Sequence, residues 1–262
     1  MNNANPTPEA IDQDHADIER WFALQSKKVQ RNARVVSGAL ARQTTMLHID
    51  KNPVAVFTPM MPRSAMPSED NTTARVTVAP SVLGCYVGYY RAHDDFIKGA
   101  VVKPGAKDPY RGGYIIHQLD FVHCLAPNAV LVPDAERSAE HWLVPYNQAS
   151  LEYTSREVGK MFVTEVLQKA NTQGEPSTEL TLYLECTVEQ GFLFSPTLRV
   201  GAGYHCAKVL WSRGVKETCF VDNDIALREV DAAQYMAAKQ LSANLLSRTE
   251  PSQHVRPSYT QW

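Results

Sequence analysis

Between Glu179 and Val188, apolar side chains fall on every second position: Leu180, Leu182, Leu184 and Cys186. Side chains of an extended chain point alternately to opposite faces, so this spacing demands a strand with one buried face. A sheet therefore follows, together with something to cover its apolar side. The chain has 262 residues, 44% of them hydrophobic, which suffices for one substantial core or for one core with a small extension. Shorter strand-like runs lie at 45–49, 54–57, 76–78, 114–116, 130–132, 141–144 and 158–167, and further strands are expected over 190–221.

Helical spacing is confined to a few places. From about Asp14 onward, Ile18, Trp21, Phe22, Gln25 and Val29 fall at i, i+3, i+4, i+7 and i+11, and all but Gln25 are apolar. Acids lead this segment (Glu9, Asp12, Asp14, Asp17, Glu19) and bases close it (Arg20, Lys27, Lys28, Arg31, Arg34, Arg42), the order that suits a helix dipole. A basic face offered to phosphate or to an acidic partner is the other reading. Near the C-terminus, Asp231 can cap a helix carrying Tyr235, Ala238, Leu241 (or Ser242) and Leu245 on one stripe.

Residues 74–90 combine both periods. Val76 and Val78 alternate as in a strand, and Pro80-Ser81 marks a helix start. Val82, Cys85, Tyr86 and Tyr89 would then share one helix face. Gly84 and Gly88 lie one turn apart, and two glycines weaken a short helix by about 1 kcal/mol each unless close packing repays them. The class implied is α+β: curved, mostly antiparallel β-sheets with an N-terminal helical extension and a C-terminal helix. The expected division is 1–43 as arm and extension, 44–169 as a β-rich core, and 170–262 as a β-rich extension with a final helix and tail.

Composition narrows the function classes. A net charge of −2 argues against bulk binding to nucleic acid or anionic membrane, although 98–111 forms a local basic loop. No apolar stretch approaches the roughly 20 residues of a membrane span, and the N-terminus has no secretory pattern. The cysteines (Cys85, Cys124, Cys186, Cys206, Cys219) are odd in number and widely spaced, as expected of buried thiols in a reducing, cytoplasmic setting. His117, His123 and Cys124 are the best seed for a metal site, but strand alternation would scatter them, so no metal is expected. Phosphate-loop, G-x-S-x-G and two-histidine metalloprotease motifs are absent.

Read in order, several segments carry a resemblance: Leu47-His48, Pro62-Arg63 with Glu69-Asp70, Thr73 to Ser81 leading into Gly84-Cys85, Val132-Pro133-Asp134, and Glu140 to Pro145. Over about residues 45–165 the chain resembles a family of bacteria and bacteriophages, and its layout resembles the ADP-ribosyltransferase-like fold. The resemblance implies NAD as cofactor. It implies that His48 hydrogen-bonds the NAD ribose, that Arg75 neutralises the pyrophosphate, and that Ser81 orients the nicotinamide amide. Tyr86 or Tyr89 would stack on the nicotinamide ring, and Trp142 would wall off water. Glu140 would hold the ribose 2′-hydroxyl and stabilise the charge that develops as the glycosidic bond breaks. Departures from that fold's pattern are Ile49-Asp50 after His48, Ala74 in place of proline, and no Glu-x-Glu near Glu140.

Each residue also has a structural reading. His48 could be a satisfied strand histidine, Arg75 and Glu140 an ion pair, Ser81 a cap, and Tyr86 and Tyr89 core aromatics. At the level of the whole chain, the alternative to an enzyme is a non-enzymatic component of a phage particle or other large assembly. There, residues 1–13 and 249–262 would reach protein partners or identical subunits, in the host cytoplasm or within a virion.

Overall fold

The alternating segment lies in a long strand, Pro176–Cys186, in which Leu180, Leu182 and Leu184 are fully buried. The structure is a computed structural model that describes residues 8–38, 45–62, 68–88, 113–145, 152–170, 176–213, 219–221 and 226–247. In chain order its elements are α1 (Pro8–Ala23), α2 (Lys27–Asn32), β1 (Ala33–Ser37), β2 (Thr45–Asp50), β3 (Val56–Phe57), β4 (Val76–Val78) and α3 (Val82–Gly88). There follow β5 (Tyr114–Asp120), β6 (His123–Pro127), α4 (Ala135–Ser138), β7 (His141–Leu143), β8 (Tyr153–Ala170) and β9 (Pro176–Cys186). The chain continues through β10 (Phe192–Leu193), β11 (Arg199–Val200), β12 (Gly203–Arg213), β13 (Cys219–Val221), β14 (Ala226–Val230) and α5 (Ala232–Ser247). The fold is α+β with helices at both ends, as expected.

Two main sheets carry these strands. The larger runs β13-β12-β9-β8-β5-β2, with β14 beside β12 and β3 beside β8; the smaller runs β1-β6-β7-β4. Strands β10 and β11 form a separate ribbon, and the paired strands described are antiparallel throughout. Leu47 of β2 and Ala79, just past β4, exchange backbone hydrogen bonds at 2.8 and 2.9 Å and so join the two sheets. The seam between the sheets holds the site described below.

One face of the large sheet packs α3 and the β10–β11 ribbon in a single apolar cluster that includes Leu47, Ile49, Val82, Tyr86, Leu182 and Val209. On the other face α5 sets Tyr235 against Phe162 and Tyr204. A further cluster (Met46, Val78, Leu119, Leu143) fills the space between β2–β5 and the small sheet, and Trp21 and Val29 of the N-terminal helices cover that sheet's far side. The expected boundary at 169/170 therefore falls inside one sheet. β8 and β9 pair from Gly159–Cys186 to Ala170–Pro176, and residues from both sides share one core.

Other departures have local causes. The helix expected from about Asp14 starts at Pro8, since proline suits a first helical turn. It ends at Ala23 in a tightened turn, with Leu24 N and Gln25 N donating to the Trp21 and Phe22 carbonyls, and a second helix starts where the Ser26 hydroxyl accepts from Val29 N. Arg34 then sits on strand β1 rather than on a helix. Residues 130–132 turn instead of forming a strand, and the Leu131 carbonyl accepts from Asp70 N at 2.8 Å. Among the described residues, no helix is long and apolar enough to cross a membrane.

Candidate functional site

A cavity of about 300 Å³ opens at the seam, between β2, β4, the 57–62 segment and α3. His48, Arg75 and Glu140, from three distant segments, all line it.

His48 stands in the middle of β2, opposite His117 of β5. Its Nδ1 lies 2.6 Å from the Thr77 carbonyl oxygen, and a carbonyl only accepts. Nδ1 therefore carries the hydrogen, and Nε2 keeps a bare lone pair. Burial lowers the imidazole pKa below its ordinary value, outweighing the Thr77 bond and Asp50, which raise it; His117 lowers it further. The ring is a neutral acceptor at neutral pH, braced edge-on by Phe57 at 4.7 Å between centroids.

Glu140 sits where α4 turns into β7. Ala139 makes that corner with φ at 48°, in the left-handed region where an alanine costs roughly 1–2 kcal/mol. The backbone is tied down by Glu140 N donating to Ser138 Oγ at 3.2 Å. Trp142 Nε1 donates to Glu140 Oε1 at 2.6 Å. Burial pushes this carboxyl up to about 7; the Trp142 hydrogen bond and the Arg75 charge pull it down, while Glu69 and Asp134 push it up.

The two glycines of α3 explain how so small a space is closed. A Cβ on Gly84 would overlap the Ser138 carbonyl oxygen, and one on Gly88 would lie 3.3 Å from Glu140 Oε2. The bare helix face thus meets the 138–140 corner directly, as the spacing of Gly84 and Gly88 implies. Cys85, on the same helix, donates its thiol hydrogen to the Leu47 carbonyl at 3.0 Å, and burial raises its pKa to about 12. It is a protonated wall residue rather than a nucleophile.

Arg75 departs from both of its expected roles. Its Nη2 meets Glu69 Oε1 at 2.5 Å, and its Nη1 lies 3.6 Å from Asp70 Oδ2. Nη1 also donates to the Asp70 carbonyl at 2.9 Å, and Cζ lies 4.1 Å from the centroid of the Trp142 ring. The guanidinium is thus committed to two acids and an indole face, neither free to clamp a pyrophosphate nor bonded to Glu140. Only its Nε, buried, has no hydrogen-bond partner. Asp70 also faces half-exposed Lys28 of α2 at 3.6 Å. Burial alone would raise the Asp70 pKa, but hydrogen bonds from Thr73 and Thr72 and the Arg75 charge bring it below the usual carboxylate range.

The remaining expectations diverge from the cavity. Ser81 Oγ accepts from Gly84 N at 3.1 Å, which makes it the helix cap, and it does not line the cavity. Tyr86 is fully buried against Tyr114 in the large core, so it does not face a ligand there. Tyr89 lies outside the described residues. Trp142 is fully buried, its role turned from water barrier to holder of Glu140. Its signal was present in the sequence, because residues i and i+2 of an extended chain share a side. Among the described residues no group of three metal-ligating side chains converges; His117 instead bonds the Asn52 carbonyl at 3.2 Å, and His123 rests near the Trp21 ring.

Comparisons with protein-family models, with characterised proteins and with solved structures find no match to this chain.

Proposed function

We propose that the seam cavity binds the nicotinamide-riboside half of NAD, and that the protein is an ADP-ribosyltransferase-like enzyme acting through Glu140 and His48. The supporting observation is that both residues line one cavity while no described residue bonds Glu140 Oε2 or His48 Nε2. A mostly apolar pocket with a few converging polar groups, one of shifted pKa, is the usual form of a small-molecule site.

The charges suit the cationic end of NAD. Glu69 already neutralises Arg75, the only cation among the described lining residues, and Glu140 titrates near neutrality. A positively charged nicotinamide ring entering beside Glu140 favours its ionised form. A volume of about 300 Å³ lies at the small end of ligand pockets and leaves the pyrophosphate outside. Glu140 Oε2 then accepts from the ribose 2′-hydroxyl, and His48 Nε2 from another ribose hydroxyl. As the C1′–N bond breaks, neutral nicotinamide leaves with the bonding pair and Glu140 stabilises the positive charge at C1′. An acceptor nucleophile adds to C1′ and its proton passes to solvent.

Incubation with NAD labelled in the adenylate half, with nicotinamide release followed in parallel, tests the reading. Wild type should release nicotinamide, and Glu140→Gln should be slower by roughly 100-fold or more, the size of effect seen when a transition-state charge partner is lost. His48→Ala should weaken NAD binding. Absence of release, transfer and binding in the wild type would sink the proposal. The assembly alternative depends on residues 1–13 and 249–262; of these only 8–13 are described, as the start of α1.

A further inference from the structure

We propose that Trp142 and Arg75 are positioning residues that aim the Glu140 carboxyl into the cavity, the indole being held between a guanidinium on its face and the carboxylate on its N–H. The proposal rests on Glu140 being the group the cavity presents, and not on which ligand binds there.

Trp142 and Thr77 are paired across β7 and β4, so their side chains share one side of the small sheet. Arg75, two residues before Thr77, points to the same side and lays its guanidinium over the indole at 4.1 Å. Glu69 and Asp70 fix that guanidinium from its outer edge. The indole in turn places Nε1 2.6 Å from Glu140 Oε1, which occupies one carboxyl oxygen and leaves Oε2 beside Gly88. A carboxyl held by one oxygen from behind has its orientation fixed while its other oxygen stays available. The charged and titratable groups acting on it are Arg75 and Glu69 from the wall, Asp134 before α4 and the protonated Cys85 of α3.

The contact sequence predicts that indole and carboxyl titrate together. The chain has 4 tryptophans, so few indole N–H signals need be followed by NMR in wild-type protein labelled with ¹⁵N and carboxyl ¹³C. The Glu140 carboxyl carbon, identified by its loss in Glu140→Gln, should titrate near pH 7, and one indole signal should move with the same midpoint. That indole should stop titrating in Glu140→Gln. Trp142→Phe keeps the ring face for Arg75 but removes the donor, and should raise the midpoint by about one pH unit, as expected for a hydrogen bond to a charged group. Arg75→Lys keeps the charge without the flat contact and should raise it by less. An unchanged midpoint in either variant overturns the role given to that residue. Should Trp142→Phe not fold, the wild-type indole signal decides: if none follows Glu140, the proposal fails.

Discussion

The long-stranded half of the molecule and the seam between its sheets are built on opposite principles. Around β8, β9 and β12 the interior is aliphatic and aromatic, with Leu180, Leu182, Leu184, Ala207 and Val209 fully buried. At the seam, within residues 70–140, Asp70, Arg75, Asp134 and Glu140 are all buried although all are ionisable. Burying charge costs stability unless every group is paired, and here Glu140 is held at one oxygen only. A fold that places its strongest hydrophobic packing beside such a cluster can tolerate the destabilised region. Of the groups that line the cavity, His48, Cys85 and Glu140 have pKa values shifted by burial, and such shifts in a cavity are a physical mark of a candidate site.

Three substitutions would sharpen or break this contrast. Leu184→Ala, in the middle of β9, should lower unfolding free energy by about 2–5 kcal/mol in urea titrations, the range for emptying a packed aliphatic site. A loss under 1 kcal/mol would mean that the large sheet is not the stabilising half. Glu140→Gln should do the reverse at alkaline pH. Burial raises the folded-state pKa to about 7, so between the ordinary carboxylate range and pH 7 the folded protein holds a proton that the unfolded chain has released. Stability from this group is present at low pH, declines as pH rises through that window, and levels off above it. Measured at pH 4 and pH 8, the variant should gain on wild type by on the order of 3 kcal/mol, and a pH-independent difference would refute the buried-acid description. Lys28→Ala should change least, below about 1 kcal/mol, because Lys28 is half-exposed and its pairing with Asp70 is screened. A larger loss in low-salt chemical denaturation would show the seam network to be more tightly coupled to α2 than a surface pair allows.

The sequence made the local order of the chain legible and left its long-range partners obscure. Alternation at Leu180 to Cys186, the strand-to-helix turn at Pro80-Ser81 and the close approach through Gly84 and Gly88 all follow from periods and backbone sterics acting over a few residues. Along the C-terminal stripe Tyr235 and Ala238 are buried and Leu241 is exposed, while the side chains of Ser242 and Leu245 lie outside those described. Three of the candidate residues, His48, Arg75 and Glu140, reach one cavity, yet which acid holds Arg75 was not readable. Glu69 and Asp70 lie only a few residues before it, and nothing in residue type favours them over Glu140; the choice depends on how the loop at 68–75 folds back. Ser81 and Tyr86 show the same limit from the other side. A helix start and an aromatic next to a cavity segment look functional in one dimension, and only packing shows that one caps the helix and the other fills the core.

The cover that Trp21 and Val29 lay over the small sheet bears on how the protein can be handled. Both belong to the same apolar cluster as Trp142, and the Trp21 indole also donates to the Pro145 carbonyl at 3.0 Å. Trimming the chain to begin near residue 44, at the start of the expected β-rich core, strips the cover from the cluster that holds the indole gripping the acid. Such a shortened protein would report the behaviour of a loosened carboxyl rather than that of the intact molecule.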